Sequence, residues 1–227
     1  MKKPLWILTD IEGTTTSISF VHDVLFPYAR ERMGKFLESN SQNENVMRVV
    51  SDLKKRLQLS NMAEVTSVLE AWMSEDRKET ELKALQGILW RDGYEGGDFR
   101  GHVYPDVAPA LERWRAEGIA LAVYSSGSVA AQKLLFGYSE AGDLDGLFDA
   151  NFDTRIGHKR EVSSYQQIAA QLSVSPGEVL FLSDVGAELA AATQSGMLVL
   201  QLMRPQNQRD PRFESVESFT EIDQLWA

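Results

Sequence analysis

The chain has 227 residues, of which 43% are hydrophobic and 25% are charged, and it contains no cysteine. This length and composition allow a sizeable buried core, and the lack of cysteine excludes disulfides, thiolate nucleophiles and cysteine-based zinc sites. The formal net charge of −10 repels long polyanions, so we expect no nucleic-acid partner, although a small anion could still bind. No apolar stretch approaches the ~20 residues of a membrane span, so we expect a cytoplasmic protein with no membrane partner.

A short apolar run, Leu5 to Thr9, comes first and predicts a buried strand that ends at Asp10. From Phe20 to about Tyr94 the apolar residues take helical spacing, which predicts a bundle of about four helices inserted after that strand. Glycines then interrupt the helical pattern, and we expect them to act as a hinge. They are Gly93, Gly96, Gly97 and Gly101.

After the glycines, predicted strands and helices alternate. This alternation predicts a doubly wound α/β fold, a parallel sheet with helices on both faces. We expect an α/β core formed by residues 1–19 and 99–227, with a helical cap at 20–98, and a surface loop at 204–212. Strands are predicted at 119–124, 148–152, 179–183 and 197–202, and helices at 108–117, 128–138, 161–172 and 187–195.

Polar residues follow three of the predicted strands. In a sheet of this kind ligands bind beyond the carboxyl ends of the strands, so we expect these side chains to share one rim. A lysine, Lys159, lies in the loop before the helix that precedes the third of these strands. The strand ends carry Asp10 and Glu12, then Ser125 and Ser126, and finally Asp184.

These residue types suit phosphoryl transfer. A carboxylate such as Asp10 can attack phosphorus and form an aspartyl phosphate. Mg²⁺ takes carboxylate and phosphate oxygens and offsets the repulsion between two anions. Lys159 would neutralise charge in the transition state, and Ser125 with the nearby backbone amides would hold the phosphate.

Each of these residues also has a purely structural explanation. An Asp after a strand often caps a turn or helix, Ser-Ser-Gly is a common turn, and a single lysine is usually a solvated charge. The four residues together, in this order at matching strand ends, are far more specific than any one of them: Asp10, Ser125, Lys159 and Asp184. The three histidines are scattered, which gives a histidine-based metal site little support.

The motifs around these residues resemble the haloacid dehalogenase superfamily and, more closely, the enolase-phosphatases of methionine salvage. The resemblance runs from about Leu5 to Arg204, and Glu12 stands where most superfamily phosphatases carry a second Asp, a departure typical of the enolase-phosphatases. The segments that carry the resemblance are 10–28, 101–106, 123–129, 132–136, 152–157, 159–161 and 181–184.

The resemblance implies an enzyme that enolises 2,3-diketo-5-methylthiopentyl-1-phosphate, a small phosphorylated diketone, and then removes the phosphate to give an acireductone. By the same resemblance, Asp10, Glu12 and Asp184 would hold one Mg²⁺ per subunit, with Asp10 also the nucleophile. Ser125, Ser126 and Lys159 would contact the substrate. Glu188, one helical turn after Asp184, would support the metal from behind.

Several points stay open at the level of sequence. Glu12 is a candidate base for the enolisation, but a cap residue or a water could serve instead. Trp90 and Tyr94 either contact the methylthio end of the substrate or pack inside the cap. Ser17 stands where the resemblance predicts a proline, and Gly186 where it predicts a bulkier residue. No motif in the sequence predicts the oligomeric state, and we expect a monomer.

Three further hypotheses compete with this one. Another Mg²⁺-dependent small-molecule phosphatase on the same scaffold is the nearest alternative, because fold does not determine substrate. A non-catalytic binding module is disfavoured because all four site residues are present. A dehalogenase is disfavoured because displacing halide from carbon has no use for Glu12 and a metal.

Overall fold

The computed structural model describes residues 2–75, 77 and 79–226. Its strands are β1 (Trp6–Thr9), β2 (Ala120–Tyr124), β3 (Ala150–Phe152), β4 (Val179–Ser183), β5 (Leu198–Leu202) and β6 (Ser215–Val216). They form one parallel sheet in the order β3-β2-β1-β4-β5-β6.

The helices of the described residues follow the predicted segments closely. They are α1 (Ile18–Phe20), α2 (Phe26–Ser39), α3 (Glu44–Leu57), α4 (Met62–Ser74), α5 (Thr80–Gly96), α6 (Val107–Ala116), α7 (Val129–Gly137), α8 (Val162–Gln171) and α9 (Gly186–Ser195). A π-helical turn, Val21–Leu25, joins α1 to α2, and short 3₁₀ turns lie at Asp145–Leu147, Pro176–Glu178 and Phe219–Leu225. The expected α/β fold with a parallel sheet is confirmed.

Both faces of the central strands are covered, which is why these strands are continuous apolar runs. On one face, Leu8 of β1 and Phe181 of β4 pack in a core with Ile168 of α8 and Leu189 of α9. The opposite face of β1 carries Ile7, which is 1% exposed, and α6 contacts β2. Chain order reverses between β1 and β4, so the sheet is wound in two directions from its centre.

The chain divides into two compact units, Met1–Ile18 with Gly101–Ala227, and Ser19–Arg100. The helical unit has its own core, formed by apolar faces of α2, α3, α4 and α5. Asn43 and Asn61 cap α3 and α4 through their side-chain oxygens, which satisfies amides at the start of each helix. The assignment of this unit as a cap stays a prediction.

Trp90 and Tyr94 both pack within the helical unit. The indole N–H of Trp90 donates to the carbonyl of Leu25 at 2.9 Å, in the π-helical turn, and its ring stacks on Phe26. Tyr94 is 2% exposed, and its ring meets that of Phe99 edge to face. Packing therefore accounts for both aromatic residues.

Three of the four glycines expected to form a hinge have an identifiable structural reason, whereas a Cβ placed on the fourth, Gly96, would meet no neighbouring atom of the described residues within 4 Å. Gly97 adopts φ +77° and ends α5, a conformation that favours glycine. Gly93 lies inside α5, where a Cβ would come 2.6 Å from the ring of Phe99. A Cβ on Gly101 would overlap the carbonyl of Leu135. Close packing therefore explains Gly93 and Gly101.

The segment 204–212 is a loop, as expected, and most of its residues are exposed, but the expected surface position is wrong for Arg204, whose side chain is 6% exposed. Farther along, the chain forms β6 and the 3₁₀ turn Phe219–Leu225, neither of which the sequence predicted. A two-residue strand is too short to produce a periodic pattern. No helix within the described ranges has both the length and the apolar character that a bilayer crossing requires.

Candidate active site

Three neighbouring strands end at one edge of the sheet and carry the expected polar residues there. Thr9 of β1 is level with Val123 of β2 on one side and with Leu182 of β4 on the other. Asp10 comes directly after Thr9, and its amide donates to the carbonyl of Leu182 at 2.9 Å. Asp10 and Asp184 thus flank the point where strand order reverses, the usual place for a ligand in such sheets.

At this edge of the sheet, the buried side chain of Lys159 forms ion pairs with two carboxylates. Its Nζ lies 2.6 Å from Oδ1 of Asp10 and 2.7 Å from Oε2 of Glu188. The hydroxyl of Ser183 also donates to Oε2 of Glu188, at 3.0 Å. Glu188, expected to support a metal, therefore contacts Lys159 and Ser183.

The charges of this cluster shift one another's ionisation. Burial opposes the charged form of Lys159, but Asp10 and Glu188 outweigh it and raise the lysine pKa above its ordinary value. Burial and then the Asp10 charge raise the pKa of Glu188. Burial, followed by the charge of Asp10, raises the pKa of Asp184 to about 7. The site therefore concentrates more negative charge than Lys159 alone neutralises.

Hydroxyl groups hold the loop that carries Lys159. The phenol of Tyr165 donates to the carbonyl of Lys159 at 2.6 Å, and that of Tyr124 to the carbonyl of Gly157 at 3.0 Å. Ser164 donates to the carbonyl of His158 at 2.8 Å. These bonds come from β2 and α8, so the position of Lys159 is set by the core of the domain.

Ser125 and Ser126 lie in the turn between β2 and α7. Ser125 is buried, and its hydroxyl accepts a hydrogen bond from the amide of Gly127 at 3.1 Å. Ser126 is exposed. Ser128 caps α7 by accepting from the amide of Ala131 at 3.3 Å. The turn thus leads into a helix N-terminus, where backbone amides favour a bound anion.

Glu12 lies in the turn after β1 and is half-buried. Its charge contributes to raising the pKa of Asp184, after burial and the charge of Asp10. The charge of Glu12 therefore acts on Asp184, although burial and Asp10 have larger effects.

The donor set fits a hard cation such as Mg²⁺. Oδ1 of Asp184 is buried, and no donor among the described residues pairs with it. No group of three or more His, Asp or Glu side chains in the described part of the chain is arranged to hold a metal ion. Mg²⁺ needs no such group, because one or two carboxylates with substrate phosphate and waters suffice. Asp10 and Asp184 supply that many.

Ser17 and Gly186, the two residues that differ from those expected in the enolase-phosphatases, each lie against a specific neighbour in the structure. The backbone amide of Ser17 donates to Nδ1 of His102 at 3.1 Å, a bond that a proline at this position could not make. Gly186 begins α9, and a Cβ there would overlap the carboxylate of Asp210. A bulkier residue at 186 would therefore require Asp210 to move.

Residues elsewhere in the chain also support the site, and the sequence patterns did not predict them. Tyr165 holds the Lys159 loop, Ser183 holds Glu188, and Arg204 donates to the carbonyl of Thr14 at 2.9 Å. Ser183 was available as the residue before Asp184, but no motif or spacing pointed to Tyr165 or Arg204.

Comparisons with known proteins show the family of this chain. Residues 6–196 match the family model described as haloacid dehalogenase-like hydrolase. A protein of Enterobacter sp. (strain 638) named enolase-phosphatase E1 is 54% identical over 219 residues, 96% of each chain. A protein of the same name from Citrobacter koseri is 53% identical, also over 96% of each chain.

Among solved structures, the Unknown transcript 4 protein of Saccharomyces cerevisiae is 32% identical, with a TM-score of 0.84. The match covers 95% of this chain and 98% of the yeast chain. Sequence and structure thus agree over nearly the whole length. The chain belongs to the haloacid dehalogenase-like hydrolases and, within them, to the enolase-phosphatase family.

Proposed function

We propose that the protein is an enolase-phosphatase that converts 2,3-diketo-5-methylthiopentyl-1-phosphate, through its enol phosphate, into the acireductone and phosphate in methionine salvage. The observation that carries the proposal is the buried contact between Lys159 and Asp10 at the reversal point of the sheet. Full-length relatives that carry the name enolase-phosphatase E1 support it.

In the phosphatase step, Asp10 is the nucleophile. A carboxylate oxygen of Asp10 forms a bond to phosphorus, the bond from phosphorus to the substrate oxygen breaks, and that oxygen leaves with the enol product. Water then attacks the phosphorus of the aspartyl phosphate and releases inorganic phosphate, which restores the carboxylate. Lys159 holds Oδ1 of Asp10 and offsets negative charge as it spreads over the phosphoryl oxygens.

The remaining residues bind and orient the substrate and the cation. Ser125, Ser126 and the amides at the start of α7 hold the phosphate. Asp10 and Asp184 are the carboxylates that would hold one Mg²⁺ per subunit, and Glu12, in the turn after β1, is the third residue that we propose for this site. When bound, the cation would neutralise phosphate charge and so allow an anionic nucleophile to approach an anionic substrate. Glu12, half-buried in the turn after β1, is one candidate for the base that removes the proton in the enolisation. Because a carboxylate bound to Mg²⁺ is a weaker base, a cap residue or a water is the alternative.

A turnover assay tests this proposal. Purified protein with Mg²⁺ and the diketo phosphate is expected to release phosphate and to develop the absorbance of the enediol product. Asp10→Asn is expected to lose at least about a thousandfold in kcat, because the nucleophile is removed. Efficient turnover of another phosphate ester without turnover of the diketo phosphate would contradict the substrate assignment.

A different small-molecule phosphatase is the second candidate, and a panel of phosphate esters separates the two by kcat/KM. A cytoplasmic location and a monomeric state complete the proposal. Cell fractionation and light scattering test them.

A further inference from the structure

The chain segment that follows β5 reaches the turn that follows β1. Nδ2 of Asn207 donates to the carbonyl of Gly13 at 2.7 Å, and Nε of Arg204 donates to the carbonyl of Thr14 at 2.9 Å. The turn is itself closed by backbone bonds, in which the amides of Thr14 and Thr15 donate to the carbonyl of Ile11. Two side chains from a distant segment therefore hold an already ordered turn that begins at the proposed nucleophile.

Arg204 is held firmly at its other contacts. Its Nη1 lies 3.0 Å from Oδ1 of Asp106, and its guanidinium lies 4.1 Å from the centre of the Tyr104 ring. The second oxygen of Asp106 accepts from the amide of Phe219 at 2.7 Å. Because Arg204 is buried and both partners of the ion pair have further contacts, Arg204 is a fixed point rather than a mobile side chain.

The strand that precedes this segment, β5, reaches the turn after β4. Nε2 of Gln201 in β5 donates to the backbone carbonyl of Asp184 at 2.9 Å. The two turns touch, since a Cβ placed on Gly13 would lie 2.6 Å from Oδ2 of Asp184. A shift of a few tenths of an ångström in Gly13 would therefore change the space that the Asp184 carboxylate occupies.

We propose that Arg204 and Asn207 are positioning residues that set the affinity of the Asp10–Asp184 pair for a divalent cation. The two carboxylates repel each other, and a cation needs both within reach at once. Arg204 and Asn207 bind the carbonyls of Thr14 and Gly13 and so fix the turn after β1 in contact with the turn after β4 before the cation binds. Binding then requires less reorganisation, which increases affinity. The inference rests on the proposed function, because it assumes a cation between these carboxylates.

Direct cation binding provides the test, with Mn²⁺ as the probe and electron paramagnetic resonance as the measurement. Asn207→Leu keeps the side-chain size and removes the donor to Gly13, and Gln206→Leu is the matched control at an exposed neighbouring position. We expect Asn207→Leu to weaken Mn²⁺ binding about tenfold, as loss of a group supporting a metal ligand does. The Gln206→Leu protein should bind as the parent does.

A positioning role predicts that a variant binds the cation more weakly but keeps its kcat once the cation is saturating, whereas a purely structural role does not predict this difference. Raising the Mg²⁺ concentration should return kcat of Asn207→Leu to within about threefold of the parent, because the reacting groups are unchanged. Arg204→Lys, which keeps the charge facing Asp106 but loses Nε, should weaken Mn²⁺ binding in the same direction. If Asn207→Leu is not folded, as judged by the loss of cooperative unfolding, Asn207→Ser replaces it in the comparison of Mn²⁺ binding with the parent.

Mn²⁺ binding as tight as in the parent, in variants that have lost only thermal stability, would overturn the inference. If the parent binds Mn²⁺ but does not turn over the diketo phosphate, the proposed substrate fails while the binding comparison still decides the role of Arg204 and Asn207.

Discussion

Lys159 and Asp10 form a buried ion pair, with 2.6 Å between Nζ and Oδ1, at the carboxyl edge of the central strand. The same ammonium lies 2.7 Å from Glu188, so one positive charge is shared between two carboxylates. Removing a buried charge partner costs more than a surface pair contributes, because the remaining charges stay desolvated. One buried lysine therefore compensates two buried carboxylates at this edge of the sheet.

The first prediction concerns this shared lysine. Lys159→Met should lower the free energy of unfolding by about 3–5 kcal/mol at pH 7, because Asp10 and Glu188 lose their common partner. Adding Glu188→Gln should recover part of this loss, because one of the two unpaired carboxylates is then neutral. Urea denaturation of the four proteins of this double-mutant cycle measures the coupling. Additive losses would mean that Lys159 and Glu188 are energetically independent.

The second prediction concerns Gly13, which has φ +74° and touches Asp184. Gly118 has nearly the same φ, +79°, but no atom within 4 Å of a Cβ placed there, so it is a matched control. Gly118→Ala should cost about 1 kcal/mol, the strain of a left-handed alanine. Gly13→Ala should cost more and should also raise the Mg²⁺ concentration needed for half-maximal rate, since the methyl group displaces the Asp184 carboxylate.

Thermal unfolding and a Mg²⁺ titration of the reaction rate measure these two effects. Equal stability losses in the two variants, with an unchanged Mg²⁺ requirement, would show that the contact between Gly13 and Asp184 has no consequence for the site.

The third prediction concerns metal removal. EDTA should abolish turnover, and added Mg²⁺ should restore it. Asp184→Asn should raise the half-saturating Mg²⁺ concentration at least about tenfold, because a hard-ion site loses an anionic ligand. Glu140→Gln, which removes an exposed carboxylate in the same unit, should leave the requirement unchanged. Full activity of the metal-free protein would refute the assignment of these carboxylates.

The fourth prediction concerns pH and Asp153. Burial opposes ionisation of this carboxylate, but hydrogen bonds from Arg155 and from the amide of Val129 outweigh it and lower the pKa of Asp153. When folding lowers the pKa of a carboxyl group, the folded state gains stability. This gain is complete when the pH is above the pKa of the unfolded state, and it is lost as the pH falls through the pKa of the folded state. The Val129 amide lies in the first turn of α7, so this bond also orders the turn carrying Ser125.

Asp153→Asn should therefore lower the free energy of unfolding by about 1.5 kcal/mol at pH 7, the low end of the range for a hydrogen bond to a charged group, because Arg155 is exposed. The difference from the parent should shrink as the pH is lowered from about 5 to about 2, where the parent carboxylate takes up its proton. Denaturant unfolding at a series of pH values gives both curves. A difference that stays constant over this range would mean that the charge of Asp153 plays no part.

Local patterns account for the parts of the fold that could be predicted. The continuous apolar run of β1 and the strand segments at β2 and β4 each end in a polar residue, and parallel pairing brings those ends to one edge. Asp10, Ser125 and Asp184 could be located in this way. Local patterns did not reveal β6, whose two residues are too few for any periodicity, or the π-helical turn at Val21–Leu25.

The sequence by itself determined the α/β class, the helical insertion, the residues at the strand ends and the family, because each is recorded in short runs of neighbouring residues. Only the tertiary structure decided that Glu188 pairs with Lys159, that Gly93 and Gly101 serve packing, and that Arg204 holds Thr14. The last contact joins residues 190 positions apart. Such contacts depend on which strands become neighbours in the sheet, and the spacing of residues along the chain does not contain that information.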